Sequence, residues 1–306
     1  MTVFYTGIHR QIWMRRDDYA GIPVCVSHSI MAPRKTFHQA RQPVLLDSGG
    51  FSYLKKHGRF PFTTRQYVAD IQRIIKGIGR MPDAVAHMDA MTENPVILGT
   101  PHLPPGHRNY FHGTRAWRGI PDDQPDEPIE IAEFKHQWWT VTNYLECARI
   151  DPDLPWMAVL QGRNLESYIR CYDMYRRAGV DLRHLPMVAV GSVCRREATH
   201  EIGEIFSVLQ MELGLDNLHG FGVKTRGLEL YAEHVNTADS MAWSEGLSRR
   251  PPLPGHEELH PNAANCANCP IAALEWRQRL VSNLASPRRR RLYQPRLWLR
   301  REEAIA

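Results

Sequence analysis

Val44-Leu45-Leu46-Asp47-Ser48-Gly49-Gly50-Phe51 is an apolar, strand-like run that breaks abruptly into an acid, a hydroxyl and two glycines. The same event recurs down the chain. Val85-Ala86-His87-Met88 runs into Asp89, Val159-Leu160 into Gln161-Gly162, and Val188-Ala189-Val190 into Gly191-Ser192-Val193. Leu218-His219-Gly220-Phe221 leads to Gly222-Val223-Lys224, and Thr237-Ala238 to Asp239-Ser240. Segments of helical periodicity separate these runs, and such alternation is the signature of a parallel sheet or barrel. In a (β/α)8 barrel the C-terminal strand ends converge on one mouth, so polar residues scattered through the sequence become one site. The expectation is an α/β protein, a (β/α)8 TIM barrel, and an enzyme.

Thr63-Thr64 predicts the cap of a helix with Tyr67, Val68, Ile71, Ile74 and Ile75 on one face and Gly77 at its end. Residues 129–150 read as a longer helix carrying Phe134, Trp138, Trp139 and Leu145. Residues 164–178 and 199–213 repeat the pattern, closed by Gly179 and Gly214. Residues 92–127 break the rhythm. Rich in proline, glycine and histidine and without a sustained period, they read as a long active-site loop, with a tolerated surface excursion as the alternative. Arg108, Arg115 and Arg118 in that loop suit a nucleic-acid contact.

The 306 residues, 43% of them hydrophobic, suffice for a full core, and a barrel of about 250 residues plus additions fits a single domain over 1–306. No run of about 18 apolar residues marks a membrane span, and the first residues lack a basic region followed by an apolar signal core. Cys25, Cys147, Cys171 and Cys194 are scattered and only Cys266 and Cys269 lie close together, which is no secreted disulfide framework. A soluble, cytoplasmic protein is expected. The net charge of +5 is modest but unevenly placed. In the segment 286–306, Arg288, Arg289, Arg290 and Arg291 form an unbroken run followed by Arg296, Arg300 and Arg301, with Tyr293, Leu297 and Trp298 interspersed. Such a stretch neutralises phosphates and lays rings against sugars or bases; the alternative is a solvated terminal face.

After Arg249-Arg250-Pro251-Pro252-Leu253-Pro254-Gly255, His256, His260, Cys266 and Cys269 supply four nitrogen or sulfur ligands just before a helix beginning near Ile271. Two thiolates and two imidazoles suffice for a closed tetrahedral zinc site over 251–285; two packed thiols are the alternative. His256-x-Glu258 with Cys266-x2-Cys269 superficially echoes zinc deaminases, but Asn265 precedes the first cysteine and the intervening residues are too few for that geometry.

The DSGGF cluster, the VLQG, AVGSV and GFGV segments and the closing ADS resemble the tRNA-guanine transglycosylase superfamily in order and spacing, over about Val44 to Trp276. GSVCRR, HGFGVK, ADSMAW and CANCP resemble its deazapurine-in-DNA branch, the DpdA transglycosylases of phages and bacterial DNA-modification clusters. The resemblance implies exchange of guanine in DNA for a 7-deazaguanine base, preQ0-like, in a bacterial cell or phage-infected host. It matches Asp239 to the family nucleophile and Asp47 to the partner carboxylate, chemistry that needs two acids at the anomeric carbon. It matches Asp89 to the aspartate that accepts from the base edge, Gln161 and the backbone of Gly191 and Ser192 to the groups at the carbonyl edge, and Phe51 and Phe221 to a sandwich around the base. Glu197 matches a glutamate beside the base, although acidity at a helix N-terminus explains it equally well. The family's structural zinc commonly takes three cysteines and a histidine, so here His256 or His260 replaces a missing cysteine.

Two departures from the tRNA enzymes are Gly191-Ser192-Val193 in place of two glycines and leucine, and Arg195-Arg196 where a smaller pair is typical. Alone, an aspartate before serine or glycine is often a turn or cap, and either phenylalanine a core aromatic. The competing functions are the same exchange on tRNA and a non-catalytic nucleic-acid-binding barrel.

Overall fold

A computed structural model describes residues 2–258 and 262–285. Strands β1 (Val3–Gly7), β2 (Val24–Ser27), β3 (Val44–Asp47), β4 (Ala84–Ala86), β5 (Trp156–Leu160), β6 (Val188–Val190), β7 (Leu218–Gly220) and β8 (Thr237–Ser240) pair in that order, all parallel, and β8 closes on β1. The expected (β/α)8 TIM barrel is the observed fold. A 3-10 segment (Gln11–Arg15) follows β1, and α1 (His28–Met31) follows β2. The later connections carry α2 (Gly50–His57) and α3 (Thr64–Ile78), α4 (Asn94–Leu98) and α5 (Ile129–Ile150), α6 (Leu165–Arg177), α7 (His200–Met211), α8 (Thr225–Tyr231), and α9 (Ala242–Leu247) and α10 (Pro270–Ala285). No helix among the described residues is long and apolar enough to cross a membrane.

Strand alternation divides the core into two shells. Val24, Val26, Val44, Leu46, Val85, Ala158 and Val190 face the helices. Tyr5, Cys25, Leu45, Ala84, Ala86, Met157, Val159 and Ala189 fill the barrel, the alanines making room for Met157 and for Tyr5, whose hydroxyl donates to Asp83 Oδ2 at 2.7 Å. Above that packed floor the mouth is formed by residues at or just beyond the strand ends, among them Asp47, Asp89, Gln161 and Asp239.

α3 obeys its pattern. Thr63 and Gln66 form a reciprocal capping box, and Tyr67, Val68, Ile71, Ile74 and Ile78 are buried. Burying each contributes about 1.5–3 kcal/mol, so a polar residue at Ile71 would unseat the helix. The helix runs past Gly77 to a left-handed cap at Gly79 (φ 68°). Gly77 instead lies against the Phe37 ring, where a Cβ would come within 2.2 Å.

α5 has the expected span, but the N-terminal half of its inner face is polar. Phe134 and Trp138 are 47% and 52% exposed, whereas Glu133, His136, Gln137 and Thr140 are buried. The cause lies in the short β4. Beyond Ala86 its chain leaves the ladder, and unpaired backbone groups in the interior need partners. Asn143 Nδ2 donates to Met88 O (2.7 Å), Ala90 N donates to Thr140 Oγ1 (2.9 Å), and His136 Nδ1 lies 2.6 Å from Met91 O. Gln137 Nε2 donates to Gln161 O (2.6 Å) and Ser167 O (2.7 Å). The inner face of α5 therefore grips the two strand tails that carry Asp89 and Gln161.

Residues 92–127 hold α4 and a series of turns. Phe111 packs on Leu54 and Val96, and His112 N donates to Lys55 O at 2.9 Å. Two of the expected nucleic-acid arginines are spent inside the segment. Arg118 is buried between Asp126, Glu127 and Ile97 O, and Arg115 binds Asp126 and the carbonyls of Pro121 and Gln124.

Candidate active site

Asp89, beyond the end of β4, is buried and bound on both oxygens. Ser48 Oγ donates to Oδ1 (2.8 Å) and Gln161 Nε2 to Oδ2 (2.7 Å). Ser192 Oγ donates to Gln161 Oε1 (2.6 Å) and accepts from Thr92 N (2.9 Å), while Gly50 N donates to Ser48 Oγ (3.0 Å). The result is one continuous hydrogen-bonded chain across β3, β4, β5 and β6. It fixes the Gln161 amide with one N–H left to donate, and leaves lone pairs on Asp89 for further donors. Burial raises the Asp89 pKa, opposed by the hydrogen bonds from Ser48 and Gln161. Ser192 alone among described non-glycine residues has a positive φ (56°), and the surrounding bonds hold that strained backbone in place.

Gly191 contributes space. Its N–H donates to Leu160 O (2.9 Å) and its carbonyl accepts from the Tyr168 hydroxyl (2.6 Å), so the backbone is already engaged. A Cβ there would fall 2.4 Å from Gln161 Nε2.

Asp47 ends β3, half-buried, and its Oδ2 accepts from Gly49 N at 3.0 Å. Gly49 holds φ 75°, which keeps the turn tight enough for that bond. Burial, then the charges of Asp89 and Asp239, push the Asp47 pKa up to about 7. Across the barrel, Asp239 on β8 accepts from Gly222 N (3.0 Å) through Oδ1, which also lies 3.3 Å from His219 Nε2. His219 is fully buried, and its Nδ1 is 2.8 Å from Thr237 Oγ1. Beneath both acids, burial and then the charges of Asp239 and Asp47 push the Cys25 thiol far up, so it stays a neutral thiol.

Phe51 sits in the first turn of α2, 42% exposed, with Phe111 edge-on at 5.8 Å. The Arg195 guanidinium lies 5.7 Å from the Phe51 ring centre and 4.9 Å from that of Phe111, and 3.4 Å from Glu93. Phe221, beyond β7, meets His219 edge-on at 5.0 Å and packs on the barrel interior. In an eight-stranded barrel β3 and β7 are opposite walls, so the two phenylalanines flank the mouth from opposite sides. Glu197 stands apart. Its carboxylate accepts from Gly227 N in the first turn of α8, with Lys224 Nζ at 3.9 Å, an acid at a helix N-terminus.

Sequence reasoning missed three participants: Ser48, His219 and Arg195. Ser48 lies inside the DSGGF run, and His219 is two residues before Phe221 and so on the same strand face, a period-2 signal that was available. Arg195 stood out only as part of an unusual Arg195-Arg196 pair, because its place depends on Phe111 in the long loop.

The cysteine region forms a separate centre. Cys266, Cys269 and His256 are buried with their ligand atoms all within 4.8 Å. His256 Nδ1 is 3.8 Å from Cys266 Sγ and 3.5 Å from Cys269 Sγ. A tetrahedral zinc with ordinary Zn–N and Zn–S bonds requires roughly 3.6 Å along that edge, so these residues fit a metal. Leu253 N and Ala272 N donate to the two sulfurs, and His256 Nε2 lies 3.3 Å from Glu275 Oε1, the outer partner that orients a ligating imidazole. His260 and Arg288–Arg291 lie outside the described residues.

Acidic groups gathered at the C-terminal ends of barrel strands mark the face on which barrel enzymes carry their active sites. The chain belongs to the DpdA family (DeoxyPurine in DNA protein A), whose model matches residues 1–103 and 109–295. Family and fold together support a DNA-modifying transglycosylase. No curated protein matches the chain.

Proposed function

We propose that the protein exchanges guanine in DNA for a 7-deazaguanine base of the preQ0 type through a covalent aspartyl-glycosyl intermediate. The observation that carries this reading is the meeting of three carboxylates at one mouth, where Asp89 and Asp239 both raise the Asp47 pKa. An Asp239 oxygen attacks C1′, the C1′–N9 bond breaks, and its electron pair leaves with guanine, which takes a proton from Asp47. The incoming base then gives its N9 proton to Asp47 and its N9 displaces Asp239 from C1′, so two inversions retain configuration. A carboxyl with a pKa near 7 is suited to both proton transfers at neutral pH.

Asp89 accepts from the guanine-type N1 and exocyclic amine, and the free N–H of Gln161 donates to the base carbonyl, with Ser192 holding Gln161. Gly191 gives Gln161 room, and Phe51 and Phe221 close on the faces of the ring. Glu197 acts through the α8 start. A duplex target must have its guanine flipped out of the stack to reach these groups. Residues 92–127 form the active-site loop, 251–285 a zinc-binding subdomain with His256, Cys266, Cys269 and His260, and 286–306 a basic segment whose Arg288–Arg291 meet phosphates, all within one domain in the cytoplasm. Zinc there would fasten the post-barrel chain.

The test supplies labelled 7-deazaguanine with guanine-containing DNA and, separately, tRNA. Incorporation into DNA with release of one guanine per base gained is expected. Incorporation into tRNA alone would overturn the DNA reading, and no incorporation into either would overturn the exchange.

A further inference from the structure

A cleft of about 650 Å3 opens between the 3-10 segment Gln11–Arg15 and the metal-ligand loop, lined by Arg10, Trp13, Arg15, Arg16, Asn265 and Asn268 among others, and by no carboxylate among the described residues. Arg16 is occupied: its Nε and Nη2 hold both oxygens of Asp18 at 2.8 and 2.6 Å. Arg10 and Arg15 are exposed and form no salt bridge among the described residues.

The cleft is rigidly joined to the strand that carries Asp239. The segment leaves the mouth end of β1; Trp243 Nε1 donates to Gly7 O (3.0 Å), and the Trp13 and Trp243 rings are 5.6 Å apart. His9 Nε2 is 2.8 Å from Ser244 Oγ, which donates to Ala267 O (2.8 Å), and the Tyr19 hydroxyl donates to Pro270 O (2.9 Å). One wall of the cleft is thus pinned to α9 directly after β8, and the other to the cysteine loop.

We infer that this cleft seats the phosphodiester backbone of the DNA strand beside the nucleotide entering the barrel, with Arg10 and Arg15 on two of its phosphates. The inference rests on the nucleic-acid substrate proposed above. At about 2 Å of rise per residue, Arg10 and Arg15 stand roughly 10 Å apart along their segment, a spacing that suits an extended polyanion and not one small anion. A single strand carries a charge about every 3.4 Å of helix axis, so the two guanidiniums match phosphates a few nucleotides apart. Among the described residues that line the cleft no acid repels the strand, and Asn268 is exposed beside the arginines.

The test uses the full chain and measures duplex DNA affinity by fluorescence anisotropy across a sodium chloride series. For the double variant R10A/R15A, the slope of log affinity against log salt should shrink by about 1.8, roughly 0.9 for each phosphate that is no longer neutralised. Thermal stability and the affinity for free 7-deazaguanine should stay at the parent values. D18A, which frees Arg16, should steepen the slope instead. An unchanged slope in R10A/R15A, or a change seen with RNA and not with DNA, overturns the inference. The outcome is separable from the exchange reaction: failure of the exchange with a shrunken slope leaves the cleft assignment standing, and full exchange with an intact slope removes it.

Discussion

On the β3–β6 side of the mouth, Ser48, Asp89, Gln161 and Ser192 hold one another in a buried chain, backed by the polar face of α5. On the β8 side, Asp239 keeps a solvent-facing edge and is steadied by Gly222 N and His219. The first arrangement is pre-organised and suits recognition, since a rigid donor and acceptor pattern discriminates between bases. The second leaves a carboxylate oxygen accessible, as a nucleophile requires. Recognition and bond-making are thus carried by different walls of one barrel.

The two walls therefore fail differently. Asp239→Asn keeps the shape and removes the nucleophile, so exchange should fall by at least about 10^3-fold while 7-deazaguanine affinity holds. Steady-state kinetics with calorimetric base titration reads both. Asp89→Ala should do the reverse. Loss of two charge-assisted hydrogen bonds should weaken base binding by roughly 10^2-fold, with DNA affinity retained; equal loss of both would show a fold defect instead.

Away from the mouth, a strong chelator should lower the melting temperature as well as activity, because a structural metal contributes to folding. Metal analysis finding well under one zinc per active, fully stable chain would contradict this.

The smallest effect concerns Asp47. Its folded pKa of about 7 lies above the unfolded value, so the native state binds the extra proton. The stability this brings is present at acid pH and is lost as pH rises through about 7. Asp47→Asn removes the loss. Relative to the parent, it should gain about 2 kcal/mol between pH 5 and pH 8 in denaturant titrations, with allowance for the half-exposed carboxyl.

The barrel was legible because buried parallel strands and capped amphipathic helices leave local marks. The Thr63–Gln66 box and the glycine ends at Gly179 and Gly214 are of that kind. The inward polarity of α5 was not, since it answers to backbone groups of Met88, Ala90 and Met91 that lose their ladder only in the folded chain. Nor was the fate of Arg115 and Arg118, because their partners Asp126 and Glu127 gave no sign in sequence of closing the same loop. Of the site, the acids could be read as strand-end residues, but the role of His219 and the engaged backbone of Gly191 appear only with neighbouring strands in place.

The central claim, that Asp239 forms a covalent bond to C1′, is tested most directly by denaturing mass spectrometry of the protein quenched during turnover on guanine-containing DNA. The expected result is an adduct of protein and DNA lacking one guanine, mapped by peptide analysis to Asp239 and absent from Asp239→Asn. An adduct on another residue, or exchange proceeding in Asp239→Asn at the parent rate, would contradict it.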